Sequence, residues 1–148
     1  MVFTTMANLG KIGGYMEFVS VFLPVLFITN STANISIIII YWLFGLMIFN
    51  TMSITGVILT IDISGIVFTI LIIMCSIIII SNEGKQVRAY GVSSIVVIVF
   101  YLISQYAGLA IFINTSGMGG VNIVIIPFIG FFGIIIGSIL VIIEGGKS

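Results

Sequence analysis

The chain has 148 residues, of which 61% are hydrophobic and only 5% charged, and its four basic and four acidic residues leave a formal charge of zero. Ordinary globular domains carry about 25% charged residues, so a polar coat in water is excluded, as is a basic patch for nucleic acid. Histidine is absent and there is a single cysteine, Cys75, which removes imidazole acid–base chemistry, histidine-ligated haem and any intrachain disulfide or thiolate metal site. No cofactor and no metal are expected.

Five hydrophobic segments follow in chain order. Residues 12–29 hold Glu17 near the start and Pro24 in the middle, so this segment either spans a bilayer or lies at its interface. Lys11, the apolar run Phe18 to Ile28 and the small residues Ser31 and Ala33 imitate a signal peptide. Glu17 fits that pattern badly, and the segment is expected to be retained.

The longest apolar stretch, Ile35 to Ser81, has Asp62 as its one charged residue. Crossing a bilayer as a helix takes roughly 20 apolar residues, so the stretch reads as two spans, 35–60 and 64–80. A fourth segment occupies 92–113 and a fifth 121–143. Isoleucine-rich runs such as Ile37 to Ile40 favour strands in water, but in lipid a helix satisfies every backbone group within one segment. The expected fold is therefore all-α, a single polytopic transmembrane helix bundle with five segments, or four spans if the first is interfacial. The sequons at Asn30, Asn34 and Asn114 fall in short Asn/Ser/Thr-rich loops of a kind that generates the pattern by chance.

Lys85 and Arg88 lie between the third and fourth segments, and with five spans Lys147 shares their side. The excess of Lys and Arg on cytoplasmic loops then places loop 81–91 and the C-terminal end in the cytoplasm and Lys11 outside, in a multi-pass protein of the cell membrane. In the fifth segment Gly130, Gly133, Gly137 and Ser138 form a small-residue face of the kind that lets membrane helices approach closely. Ser104 and Gly108 in the fourth segment are the expected mate within the chain.

Ionisable residues within apolar segments are functional candidates, and here they are Asp62 and Glu17. Each also has a plainer reading, Asp62 as a helix N-cap and Glu17 as an interfacial side chain. In Asp62-Ile63-Ser64-Gly65 an acid and a short turn open a helix that runs to Ile80. A polar stretch, Ser81 to Tyr90, and a further helix, Val92 to Ile113, follow. This run, Gly56 to Asn114, resembles the early part of the antiporter-like proton-translocating subunits of respiratory complex I and of multisubunit sodium/proton antiporters. The resemblance implies a helical membrane setting with Asp62 as its acid. The glutamate and lysine that the family carries in later helices have no counterpart in Val121 to Ile143.

Without catalytic groups or room for an extramembrane site, the chain reads as a small non-catalytic subunit, not an enzyme. Its expected partners are lipid, other membrane subunits of an energy-converting complex, or further copies of itself. The alternative is a proton, ion or small-solute transporter component that uses Asp62 or Glu17.

Overall fold

The computed structural model describes residues 9–32, 35–44, 46–51, 55–59, 63–82, 85–116 and 122–146. Its elements in order are helix α1 (Leu9–Ser20), strands β1 (Pro24–Thr32), β2 (Ile35–Trp42), β3 (Leu46–Thr51) and β4 (Thr55–Leu59), helices α2 (Ile63–Ser81) and α3 (Lys85–Ser116), strand β5 (Asn122–Pro127) and helix α4 (Ile129–Gly145). The fold is mixed, and the expected all-α bundle of five segments is wrong. Segments 64–80 and 92–113 are helical, as α2 and α3. Segment 35–60 instead forms three strands, and segments 12–29 and 121–143 each divide into a strand and a helix.

Local chemistry accounts for the strands. Ile37 to Ile40 is a β-branched run whose crowded Cβ atoms suit a pleated surface. In the segment 35–60, Asn50, Thr51 and Gly56 break the helical reading with residues that favour turns and chain reversal. All five strands pair antiparallel in the order β4-β3-β2-β1-β5. The register sets Ile126, Phe27, Ile40 and Ile48 in one row across the sheet and Ile125, Ile28 and Ile39 in the next. Apolar cross-strand pairs of this kind are what hold a sheet in register.

Pro24 sits at the first position of β1, where its missing N–H costs no ladder bond. The register shifts between Pro24 and Leu26, and the Val25 carbonyl accepts a bond from the Phe128 N–H at 2.8 Å. That bond ties the β5–α4 junction to the start of β1. On the other flank, the Trp42 indole N–H donates to the Phe22 carbonyl at 3.2 Å and ties β2 to the α1–β1 corner.

The four helices among the described residues form an up-down bundle. Contacts of Gly13 with Gly137 and Val141, of Gly14 with Ile79 and Ile80, of Gly91 with Ser138 and Val141, and of Phe68 with Tyr101 make each neighbouring pair antiparallel. The ring therefore runs α1, α2, α3, α4 and back to α1. Every passage between helix and sheet occurs at one end of this bundle. The opposite end carries Lys11, Arg88 and Glu144, where the Glu144 carboxylate accepts from the Gly10 N–H and the Gly145 backbone meets Arg88. Lys11 and Arg88 thus share one end, contrary to the separation expected with five spans and as expected if the first segment does not cross.

Two apolar clusters fill the interior. One joins Ile72, Ile98, Tyr101 and Ile134 of the helices to Val25, Leu26 and Ile125 of the sheet. The other, towards the charged end, holds Ile79, Val87 and Val141. Among the described residues, two helices are long and apolar enough to cross a membrane, Ile63–Ser81 and Gln86–Gly108. At 1.5 Å per residue the first is about 28 Å long, close to the hydrocarbon thickness of a bilayer.

Candidate functional site

Helix α1 turns its small and polar residues inward and its large apolar ones outward. Its buried residues are Gly10, Gly13, Gly14, Glu17 and Ser20, whereas Ile12, Tyr15 and Val19 are exposed. The glycines let two neighbours come close. A Cβ at Gly137 would lie 2.6 Å from the Gly13 carbonyl oxygen and 2.9 Å from Glu17 Cγ, and one at Gly14 would lie 2.8 Å from the Ile79 side chain. Because the backbones approach to this distance, the long side chain of Glu17 has nowhere to go but the bundle axis.

There it is fully buried and meets one serine from each of the other three helices. Ser138 Oγ of α4 lies 2.7 Å from Oε1. Ser94 Oγ of α3 lies 2.8 Å from Oε2, and Ser76 Oγ of α2 lies 3.4 Å from the same oxygen. Ser76 and Ser138 also sit 2.8 Å from carbonyls one turn back in their own helices, those of Ile72 and Ile134. The four polar residues form a single layer. Ile72, Ile98 and Ile134 close it on the sheet side, and Ile79, Val87 and Val141 close it on the charged side.

A buried carboxyl demands hydrogen bonds from its surroundings, and the serines supply them without introducing a charge. Half-buried Cys75 is the other titratable side chain beside the layer, next to Ser94. Among the described residues, no group of three or more His, Cys, Asp or Glu side chains forms.

The other sequence-derived candidates fall elsewhere. Gly133 faces Ser20, and Gly130 faces the carbonyls of Ser20, Leu23 and Pro24, so the small-residue face of α4 packs on α1 and the α1–β1 corner. The expected mate was Ser104 with Gly108, and that pairing is incorrect. Ser104 is exposed with its hydroxyl donating to the Tyr101 carbonyl at 2.8 Å, and a Cβ at Gly108 would meet nothing within 4 Å. Both lie on the outer side of α3, where spacing alone cannot distinguish an inward from an outward face. Lys85 opens α3 and Arg88 follows within its first turn. Asp62 and Lys147 lie outside the described residues.

Ser76 and Ser94 were not singled out by sequence. The available signal was weak, a single hydroxyl in an apolar turn for Ser76 and one member of the pair Ser93-Ser94 for Ser94, and their convergence depends on the ring order of the bundle. No protein-family model matches the chain, and no curated protein matches it.

Proposed function

We propose that this chain is an integral, multi-pass membrane protein and serves as a small non-catalytic subunit of a larger membrane assembly. The observation that carries the reading is the inverted distribution of polarity. Glutamate, serine and glycine point into the bundle. The outer faces of all four helices are apolar, with Val19, Ile70, Phe100 and Ile136 each about half exposed. Water would penalise such a surface heavily, at roughly 25 cal/mol per Å² of apolar area, and lipid would not.

Charge placement supports an orientation. Lys11 and Arg88 lie at the end opposite the sheet, so the excess of cations on cytoplasmic ends puts that end in the cytoplasm and the sheet on the far side of the bilayer. Open sheet edges do not occur in hydrocarbon, which agrees with a sheet held beyond the bundle. Edge strand β5 exposes Val124 and Ile126, an apolar edge of the kind that pairs with another chain. A shallow apolar recess of about 420 Å³ on α1, lined by Ile12, Tyr15, Met16, Val19 and Ser20, suits a lipid chain or a neighbouring helix.

The test is alkaline extraction of native membranes, followed by purification in mild detergent and identification of stoichiometric partners. Retention in the pellet with partners in fixed ratio is expected. Release into the alkaline supernatant overturns membrane integration, and recovery of the chain alone overturns the subunit role. A second reading, a proton- or ion-handling component, is favoured by one observation, the Glu17 carboxyl on the bundle axis.

A further inference from the structure

We propose that Glu17, Ser76, Ser94 and Ser138 form a binding site for one exchangeable proton, in which the Ser138 hydroxyl reverses its hydrogen bond when the proton arrives or leaves. This deepens the second reading above, but the site does not require transport.

The argument is a count of hydrogens. A serine hydroxyl has one hydrogen to donate and lone pairs with which to accept. Ser138 Oγ has two acceptors in reach, Glu17 Oε1 at 2.7 Å and the Ile134 carbonyl at 2.8 Å, so its single hydrogen serves one at a time. With Glu17 ionised, Ser138 donates to Oε1 and Ser94 donates to Oε2. With Glu17 protonated on Oε1, the carboxyl O–H donates to Ser138 Oγ, and the Ser138 hydrogen turns to the Ile134 carbonyl. Ser94 lies 2.8 Å from Oε2 and donates to it in both states, with the Cys75 sulfur, a much weaker acceptor, as its other neighbour. Ser76 rests on the Ile72 carbonyl at 2.8 Å and stands 3.4 Å from Oε2, a reserve donor for the ionised form. Both protonation states are thus fully hydrogen-bonded with the heavy atoms where they stand, and only one hydroxyl rotates.

The same distances argue for a proton over a metal ion. Oxygens 2.7–2.8 Å apart are joined by hydrogen bonds, whereas oxygens sharing a calcium ion each stand 2.3–2.6 Å from the metal and must spread to admit it. The apolar clusters on both sides hold the layer closed. Among the described residues, no charged side chain other than Glu17 sits in the layer. Ser76 and Cys75 face Glu17 from α2, Ser94 from α3 and Ser138 from α4. Lys11 on α1, Arg88 on α3 and Glu144 on α4 each lie six residues along the sequence from the layer residue of their own helix, about 9 Å of helix rise.

The experiment is infrared difference spectroscopy of the purified full chain in lipid nanodiscs. The pH is stepped from below the usual carboxylate range to well above it, and the probe is the proton itself. A protonated-carboxyl C=O band that disappears with rising pH, and is absent from Glu17→Gln, is expected. Gln keeps the size of the neutral carboxyl, one carbonyl acceptor and a donor towards Ser138. Ser94→Ala should move the band to higher frequency, because the carbonyl oxygen loses its constant donor, and this variant decides the matter where Glu17→Gln fails to fold.

Asp62, Glu83 and Glu144 keep their own bands in Glu17→Gln, so the assignment is overturned if no titrating band is lost in Glu17→Gln, or if Ser94→Ala leaves that band in place. The absence of any titrating band overturns it too. Loss of the band on adding sodium or calcium at fixed pH overturns it in favour of a cation site. Proton flux in proteoliposomes is read separately, so failure of the transport reading and failure of the proton site are distinguishable.

Discussion

Glu17 and Ser138 are 121 residues apart in sequence and 2.7 Å apart in space, and their contact fastens α1 to α4. The link should be measurable as a coupling. Ser138→Ala removes a donor from a buried carboxyl and is expected to cost about 2 kcal/mol, in the range for hydrogen bonds to charged or buried groups. In a Glu17→Met background the partner is gone and the same substitution should cost less, leaving a coupling of about 1 kcal/mol. Unfolding in detergent for the four proteins of this cycle checks it. Equal costs in both backgrounds would mean that the two side chains act independently.

Close approach of α1 and α4 predicts a sharp contrast between two glycines. Gly137→Val places a Cβ 2.6 Å from the Gly13 carbonyl oxygen, a rigid neighbour, and overpacking of this kind costs about 3 kcal/mol. Gly108→Ala meets nothing within 4 Å and gains helix propensity, so it should stabilise by up to about 1 kcal/mol. Thermal unfolding in detergent reads both. A destabilised Gly108→Ala would mean that Gly108 is a contact surface for a partner still present in the preparation.

The contrast also marks where sequence reasoning reached its limit. Segments 64–80 and 92–113 were legible because an apolar run too long for a strand leaves one reading. Segment 35–60 was equally apolar, but the polar cluster around Asn50 and Thr51 divides it into pieces the length of strands, and short apolar runs carry no decisive period. Glu17 stood out as an acid among apolar neighbours. Its partners did not, because an isolated serine such as Ser76, or a pair such as Ser93-Ser94, is ordinary in an apolar helix, and only the up-down ring brings three serines to one carboxyl. The glycine face of α4 was visible from spacing. Its true mate is the Gly13 side of α1, which hydropathy had merged with β1 into a single segment.

Thr69 on α2 offers a test of hydroxyl satisfaction outside the polar layer. Its Oγ1 is buried and has no hydrogen-bond partner among the described residues. A buried hydroxyl without a partner costs on the order of 1 kcal/mol or more, and valine has the same shape without the oxygen. Thr69→Val is therefore expected to raise the unfolding midpoint in detergent, by a stabilisation of about 1 kcal/mol. A drop of similar size would show that the hydroxyl binds a water or a neighbouring chain.

Orientation can be read chemically because the chain has one cysteine. In a Cys75→Ala background, a cysteine is placed either at Asn82, exposed just after α2 at the charged end, or at Asn50, exposed on β3 of the sheet. A membrane-impermeant maleimide added to intact cells should label Asn50→Cys and spare Asn82→Cys, and the reverse should hold for inside-out vesicles. The reasoning is that Lys11 and Arg88 share the Asn82 end, and each cation held on the cytoplasmic side weighs on the same choice. Four helices of alternating direction then return the chain to the side where it entered. Labelling of both positions from outside would remove the bilayer from between the sheet and the charged end, and would leave the apolar faces of Ile70, Phe100 and Ile136 to be covered by protein instead of lipid.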